Sequence, residues 1–309
     1  MARCAVTRQL PGGALDRLRA RHEVEVWPGR LPPPYEELRR MTEHADGLLS
    51  LLSDRVDEAL LEGSPRLRAV ANYAVGYDNI DLRAAARHGV AVGNTPDVLT
   101  DATADLTFAL LLAAARRLAE AIDTVRRGEW VTWEPGAHLG LDVHGATLGI
   151  VGMGRIGRAV ARRAQGFSMT VLHTGRDGGV ALEELLERSD FVSLHCPLNS
   201  HTRHLIDAAA LSRMRPTAVL INTARGPIVD QAALVQALHE GRIAGAALDV
   251  TDPEPPAPDD PLLSAPNVLV VPHIGSATRS ARERMADLAV DNLIAALDGL
   301  PMPHPVTLP

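Results

Sequence analysis

From Thr147 to Arg163 the sequence passes from an apolar strand, Thr147-Leu148-Gly149-Ile150-Val151, through Gly152-Met153-Gly154-Arg155-Ile156-Gly157 into a helical pattern. A GxGxxG run alone is common. One that follows a strand and opens a helix is the turn on which a doubly wound sheet holds a dinucleotide. The first glycine permits the tight turn, the second lets a pyrophosphate approach the backbone, and the third lets helix and strand pack closely. The helix start adds free N–H groups and the positive end of the helix dipole.

The rest of the chain repeats this alternation. Downstream, apolar runs at 169–173, 191–194, 218–221, 245–248 and 268–271 are predicted strands, several of them separated by helical stretches such as Gln231 to Leu238. Upstream, runs at 4–6, 23–26, 47–51 and 68–70 alternate with helical patterns at 14–20 and 35–41. Strands that alternate with helices imply parallel sheets covered on both faces, so the expected class is α/β with two doubly wound parallel-sheet domains. Gly93-Asn94-Thr95-Pro96 is turn chemistry and marks a boundary. One long helix is expected from Thr100 to Arg127. Its stretch from Leu106 to Ala115 is apolar all round, so it must be buried on more than one side, between domains or against a second subunit. Residues 128–144 read as irregular and carry Trp130 and Trp133. A last helix spans Ser280 to Leu297.

Composition narrows the chemistry. The 309 residues suffice for two ordinary domains, and 46% hydrophobic with 22% charged residues is a globular balance. A net charge of −7 and the absence of a basic run argue against a nucleic-acid partner. No apolar stretch is long enough to span a bilayer, and the N-terminus lacks the pattern of an export signal, so a cytoplasmic location is expected. Cys4 and Cys196 are too few for a disulfide framework or a cysteine zinc site, and no metal is expected. The chain contains no lysine; every basic side chain other than histidine is arginine. Schiff-base chemistry, a phosphate-loop lysine and a Tyr–Lys catalytic pair are therefore excluded.

The end of the strand at 169–173 bears on the cofactor. A loop specific for NAD places a carboxylate about 20 residues past the glycines, to bond the ribose 2′-hydroxyl. Here the sequence reads His173-Thr174-Gly175-Arg176-Asp177. With Gly175 at the acidic position, the acid is missing and Arg176 stands ready for a 2′-phosphate, so NADPH is favoured. NADH stays open, because a loop shifted by two residues would bring Asp177 into the acidic role.

Three further motifs follow predicted strands, where open α/β sheets place their ligands. They are Asn222-Thr223-Ala224-Arg225-Gly226, Asp249-Val250-Thr251-Asp252-Pro253-Glu254-Pro255 and Pro272-His273-Ile274-Gly275-Ser276. Reducing a 2-keto acid requires a cation for the carboxylate, polarisation of the carbonyl, and a proton for its oxygen. An arginine meets the first two needs and a histidine the third, since imidazole titrates near neutrality. A carboxylate bonded to a histidine fixes its ring and favours its protonated form. Arg225 is thus expected to bind and polarise, His273 to act as general acid, and Glu254 to orient His273. Singly, each residue has an ordinary structural reading; at successive strand ends beside a cofactor loop they form a set.

With Val75-Gly76-Tyr77-Asp78-Asn79-Ile80-Asp81, the glycine loop, Thr174-Gly175-Arg176 and Ser276-Ala277-Thr278, these motifs resemble the D-isomer-specific 2-hydroxyacid dehydrogenase family, most closely its glyoxylate/hydroxypyruvate reductases. The resemblance runs along nearly the whole chain. It implies a Rossmann cofactor domain, residues 96–277, inserted in a flavodoxin-like substrate domain made of residues 1–95 and 278–309, with a cleft that closes on substrate. It implies that the backbone at Val75 and Gly76 holds the substrate carboxylate beside Arg225, that Leu51 and Ser53 line the pocket, and that Ser276 meets substrate or cofactor. Thr103, Cys196, Pro197, Thr223, Asp249 and Gly275 complete the implied cofactor set, with Thr103 near the nicotinamide phosphate and Asp249 at the nicotinamide amide. The helix at Ala104 to Ala115 is implied to form a homodimer interface. Trp133 is implied to reach the neighbouring subunit's active site; loop packing is its other reading. His173 departs from the residue often found there and either assists a 2′-phosphate or ends the strand.

The rival readings are a non-catalytic dinucleotide-sensing regulator and a methyltransferase with a glycine-rich loop. The second has no use for Arg225, Glu254 and His273 together. Within the family, D-lactate, phosphoglycerate and phosphite dehydrogenases are the alternatives.

Overall fold

The computed structural model describes residues 1–176 and 178–307. The chain divides into two compact units, one made of Met1–Leu99 with Ala277–Pro309 and the other of Thr100–Ser276. The boundaries expected from sequence, 95/96 and 277/278, differ from these by a few residues.

The first unit carries strands β1 (Arg3–Val6), β2 (Glu23–Val26), β3 (Gly47–Ser50), β4 (Ala69–Asn72) and β5 (Ala91–Gly93). They form one parallel sheet in the order β2-β1-β3-β4-β5, the flavodoxin-like winding. β3 and β4 are buried at every residue, as central strands covered on both faces must be. The edge strand β2 instead reads Glu-Val-Glu-Val and turns its glutamates outward. The helix Arg279–Leu297 covers one face with Ala281, Met285, Ala289 and Leu293.

The second unit holds β6 (Thr147–Val151), β7 (Thr170–Gly175), β8 (Gly178–Gly179), β9 (Phe191–Leu194), β10 (Val219–Asn222), β11 (Gly245–Leu248) and β12 (Val268–Val270). Their order is β12-β11-β10-β9-β6-β7-β8, with only β8 antiparallel. Strand order reverses at β6, between β7 and β9, which is the switch point where a Rossmann sheet takes its ligand. The period of two along β10 builds both cores. Leu220 faces Val192, Leu211 and Leu234, while Val219 and Ile221 face Leu148, Phe108 and Leu111.

The single helix expected over Thr100 to Arg127 is two helices, Thr100–Ala115 and Leu118–Arg126. The Ala115 carbonyl accepts the Leu141 N–H at 2.8 Å, so it is taken from the next helical turn, and Arg117 turns the chain at φ +51°. Phe108, Leu111 and Ala115 are covered by the unit's own core. The exposed apolar surface lies instead on Leu118–Arg126, where no residue is buried, and on Trp130, Val131 and Trp133. Among the described residues no helix is long and apolar enough to cross a membrane.

Candidate active site

The glycine loop is shaped by its neighbours. Gly152 has φ +98°, and a Cβ there would stand 2.6 Å from the Cys196 nitrogen. The close approach packs the loop against the end of β9 and requires glycine. A Cβ on Gly157 would stand 2.2 Å from the Gly152 carbonyl oxygen, so the third glycine lets the helix Arg155–Gln165 close on the turn. A Cβ on Gly154 would meet nothing within 4 Å. No protein contact demands glycine there, whereas a ligand resting on the helix N-terminus would. Gly175 lies on the other flank, its Cβ position 3.7 Å from the Met153 nitrogen, and the Gly152 N–H donates to the Thr174 carbonyl at 2.8 Å. Thus Thr174, Gly175, Cys196 and the glycine turn come together around one cradle that fits a dinucleotide. Pro197 follows Cys196 on a partly exposed stretch, Arg176 is exposed at the end of β7, and Asp177 lies outside the described residues.

The wall beside the loop is electrically neutral. Burial pushes the Cys196 thiol up to about 11 and the His195 imidazole down to about 4. Near neutral pH neither group carries charge, so neither pairs with nor repels a phosphate.

A second cluster gathers Thr103, Thr223, Asp249 and Gly275. The Thr103 hydroxyl donates to the Gly275 carbonyl at 3.2 Å, and the Thr107 and Thr223 hydroxyls lie 3.1 Å apart. Asp249 is 1% exposed. Its two carboxylate oxygens accept the N–H groups of Ile274 at 2.6 Å and Gly275 at 2.7 Å. Burial raises its pKa above the usual carboxylate range, against the backbone donors and the nearby His273. Sequence alone suggests Asp249 only as a cofactor contact; these bonds make it a brace for the loop that carries His273.

The three proposed chemical groups follow β10, β11 and β12, which are neighbours in the sheet. Asn222 sets the first: its Oδ1 accepts the Ala224 N–H at 3.0 Å and its Nδ2 donates to the Arg225 carbonyl at 2.8 Å. This side-chain-closed turn delivers Arg225 from the strand end, a role not read from sequence although asparagine after a strand is its signal. A Cβ on Gly226 would stand 1.9 Å from the Thr251 carbonyl oxygen, so the Arg225 turn presses on the next loop. That loop is held by Gln231 Oε1, which accepts the Asp252 N–H at 2.9 Å, and by the Thr251 hydroxyl, which donates to the Pro253 carbonyl at 2.8 Å. Glu254 is thereby placed so that its Oε1 accepts from His273 Nδ1 at 2.5 Å, with both side chains partly exposed. His273 itself sits at φ +51°, a left-handed conformation that a histidine holds only where its surroundings enforce it.

Ser276 ends this unit, one residue beyond Gly275. Trp133 is 78% exposed, which removes loop packing as its explanation. Leu51, Ser53, Val75 and Gly76 belong to the other unit. There Leu51 and Tyr73 border a depression of about 370 Å³ together with Arg8, Arg30 and Arg282. Ser53 is exposed on the loop after β3, and Val75 and Gly76 are half-buried on the loop after β4.

Known proteins resemble this chain in sequence and in fold. Residues 108–275 match the model of the D-isomer specific 2-hydroxyacid dehydrogenase family, NAD binding domain. A glyoxylate reductase of Korarchaeum cryptofilum is 51% identical over 305 residues, covering 95% of this chain and 92% of that protein. The crystal structure of a Thermus thermophilus protein superposes with a TM-score of 0.93 at 51% identity, covering 99% of this chain and 100% of that one. An NADPH-dependent glyoxylate/hydroxypyruvate reductase of Sinorhizobium meliloti, solved with NADP and malonate, superposes with a TM-score of 0.87 at 36% identity, covering 99% and 97%. A dinucleotide loop at the switch point, an arginine, glutamate and histidine on three successive strand ends, and these matches lead to one assignment: the chain belongs to the D-isomer specific 2-hydroxyacid dehydrogenases.

Proposed function

We propose that this protein reduces a small 2-keto acid, glyoxylate or hydroxypyruvate, to the D-2-hydroxy acid with a reduced nicotinamide dinucleotide. The single observation that carries the chemistry is the 2.5 Å contact between Glu254 and His273. A carboxylate on Nδ1 fixes the imidazole so that Nε2 holds a transferable proton. Arg225 binds the substrate carboxylate and polarises the carbonyl. The nicotinamide supplies the hydride that reaches the carbonyl carbon. The carbonyl oxygen takes the proton from His273, leaving a hydroxyl and a neutral imidazole, and Glu254 holds the ring throughout. Thr103, Thr223, Asp249, Gly275, Cys196 and Pro197 surround the cofactor in this reading.

NADPH is the preferred cofactor. Gly175 stands at the position where an NAD-specific loop carries its carboxylate, and Arg176 follows it on the surface, where a guanidinium pairs with a 2′-phosphate. The Sinorhizobium meliloti relative is NADPH-dependent. A homodimer is the working assembly. Its interface is centred on Leu118, Ile122, Val125, Trp130 and Trp133, whose exposed apolar side chains are adjacent in sequence, rather than on the covered helix Thr100–Ala115.

The test is spectrophotometric. Purified protein mixed with NADPH and glyoxylate is expected to consume the reduced cofactor, and a substrate panel with both cofactors ranks the specificities. Absence of oxidation with every small 2-keto acid would transfer the case to a dinucleotide-sensing regulator.

A further inference from the structure

In the first unit the turn Gly93-Asn94-Thr95-Pro96 does more than end a strand. The Thr95 N–H donates to the Ala74 carbonyl at 2.9 Å. The Asn94 side-chain amide donates to the Val75 carbonyl at 2.8 Å. Two consecutive peptide carbonyls are therefore held by two consecutive residues of one turn. In a planar trans peptide the carbonyl of one residue and the N–H of the next point in opposite directions. Fixing the Ala74 and Val75 carbonyls fixes the N–H groups of Val75 and Gly76, facing away from the turn. Among the described residues neither N–H meets a protein acceptor, and both residues are partly exposed.

The next plane is held as well. Asn72 Nδ2 donates to the Gly76 carbonyl at 2.9 Å and contacts Asn79 Oδ1 at 3.1 Å, while Asn72 Oδ1 accepts the Ser50 hydroxyl at 3.0 Å. Asn94 is itself braced. Its carbonyl accepts the side-chain amide of Asn292 at 2.9 Å, and its N–H donates to the His304 carbonyl at 3.2 Å. Asn292 is fully buried, and its Oδ1 accepts the His304 N–H at 2.8 Å. A Cβ on Gly93 would stand 2.8 Å from the Asn292 amide carbon, so the turn is pressed against this brace.

We infer that Asn94, with Asn72, is a positioning residue that pre-orients the Val75 and Gly76 N–H pair as a receptor for the substrate carboxylate. This rests on the 2-keto acid reading above and extends it. A flexible loop would have to order its amides at each binding event, whereas this one meets the anion with its donors already set, which lowers the cost of binding. The residue acts on recognition of the carboxylate and not on hydride or proton transfer.

Asn94→Ala removes the donor to Val75 without adding charge. Losing one such orienting bond is expected to raise the KM for glyoxylate about tenfold and to leave kcat within about twofold. Inhibition by oxamate, an unreactive analogue with the same carboxylate beside a carbonyl, is expected to weaken in parallel, with NADPH affinity unchanged. A general structural defect would lower kcat and cofactor affinity together, and that result, or an unchanged KM and oxamate constant, overturns the inference. A measurement on the unaltered protein covers a variant that fails to fold. In ¹⁵N-labelled protein with cofactor, oxamate is expected to shift the Val75 and Gly76 amide resonances. If the unaltered enzyme turns over glyoxylate but those resonances stay in place, the carboxylate is held elsewhere and the inference fails while the activity stands. If it turns over no 2-keto acid, the underlying reading has failed.

Discussion

Asp249 grips the backbone that carries His273. Its main-chain carbonyl accepts the His273 N–H at 3.0 Å, and its two carboxylate oxygens accept the N–H groups of Ile274 and Gly275. Three consecutive donors thus end on one buried residue, and this holds a histidine at positive φ in a conformation it would otherwise leave. Asp249→Asn keeps the shape but sets an amide NH₂ against a backbone N–H. Urea titration is expected to show a loss of about 1–3 kcal/mol, the cost of a buried donor without an acceptor. The kcat is expected to fall with it as the His273 loop relaxes. Native stability together with native kcat would remove Asp249 from this role.

His273→Ala takes away the proposed proton donor while sparing the glycine turn. The kcat is expected to drop by about 10² to 10⁴, the range for a general acid, with NADPH still bound in a fluorescence titration. Near-normal turnover would refute the assignment.

Arg176→Ala is expected to weaken NADPH by about 10- to 100-fold, as loss of a charge-assisted phosphate contact would, and to leave NADH nearly unchanged. Dissociation constants for both cofactors decide it. An equal loss for the two would mean that Arg176 does not read the 2′-phosphate.

His22 is buried, and neither ring nitrogen has a hydrogen-bond partner. Burial lowers its pKa in the folded protein below the ordinary value of about 6.5. The unfolded chain therefore takes up a proton that the folded chain refuses. Stability contributed by the neutral ring is complete above about pH 6.5 and declines as pH falls below it. His22→Leu is expected to flatten that decline in denaturation curves between about pH 7 and 5, and to leave stability near pH 8 unchanged or higher, because two unsatisfied buried nitrogens are removed. An unaltered pH profile would show that His22 is not the group responsible.

Ile122→Glu places a charge in the exposed apolar stripe of Leu118–Arg126. If that stripe joins two copies, sedimentation is expected to report a monomer for the variant and a dimer for the native chain. A dimer in both would locate the interface elsewhere.

Much of this molecule is legible in one dimension, for a physical reason. Parallel strands buried on both faces must be near-continuous apolar runs, as in β9, β10 and β11, and glycines forced by a tight turn at 152 or a close contact at 157 cannot be hidden. Arg225, Glu254 and His273 stand out as candidates because each follows such a run, where an open sheet delivers side chains to its ligand edge. Other features depend on groups far apart in the chain and have no local signature. The helix after Thr100 reads as unbroken, since nothing in its sequence shows that Leu141 takes the Ala115 carbonyl. Asp249 as a brace, Asn222 as a clasp on the Arg225 turn, and Asn94 as a clamp on Val75 are decided by hydrogen bonds that exist only once the strands have been brought side by side. Sequence determined which groups this protein offers for the proposed chemistry; tertiary structure decided how firmly, and at what angle, they are held.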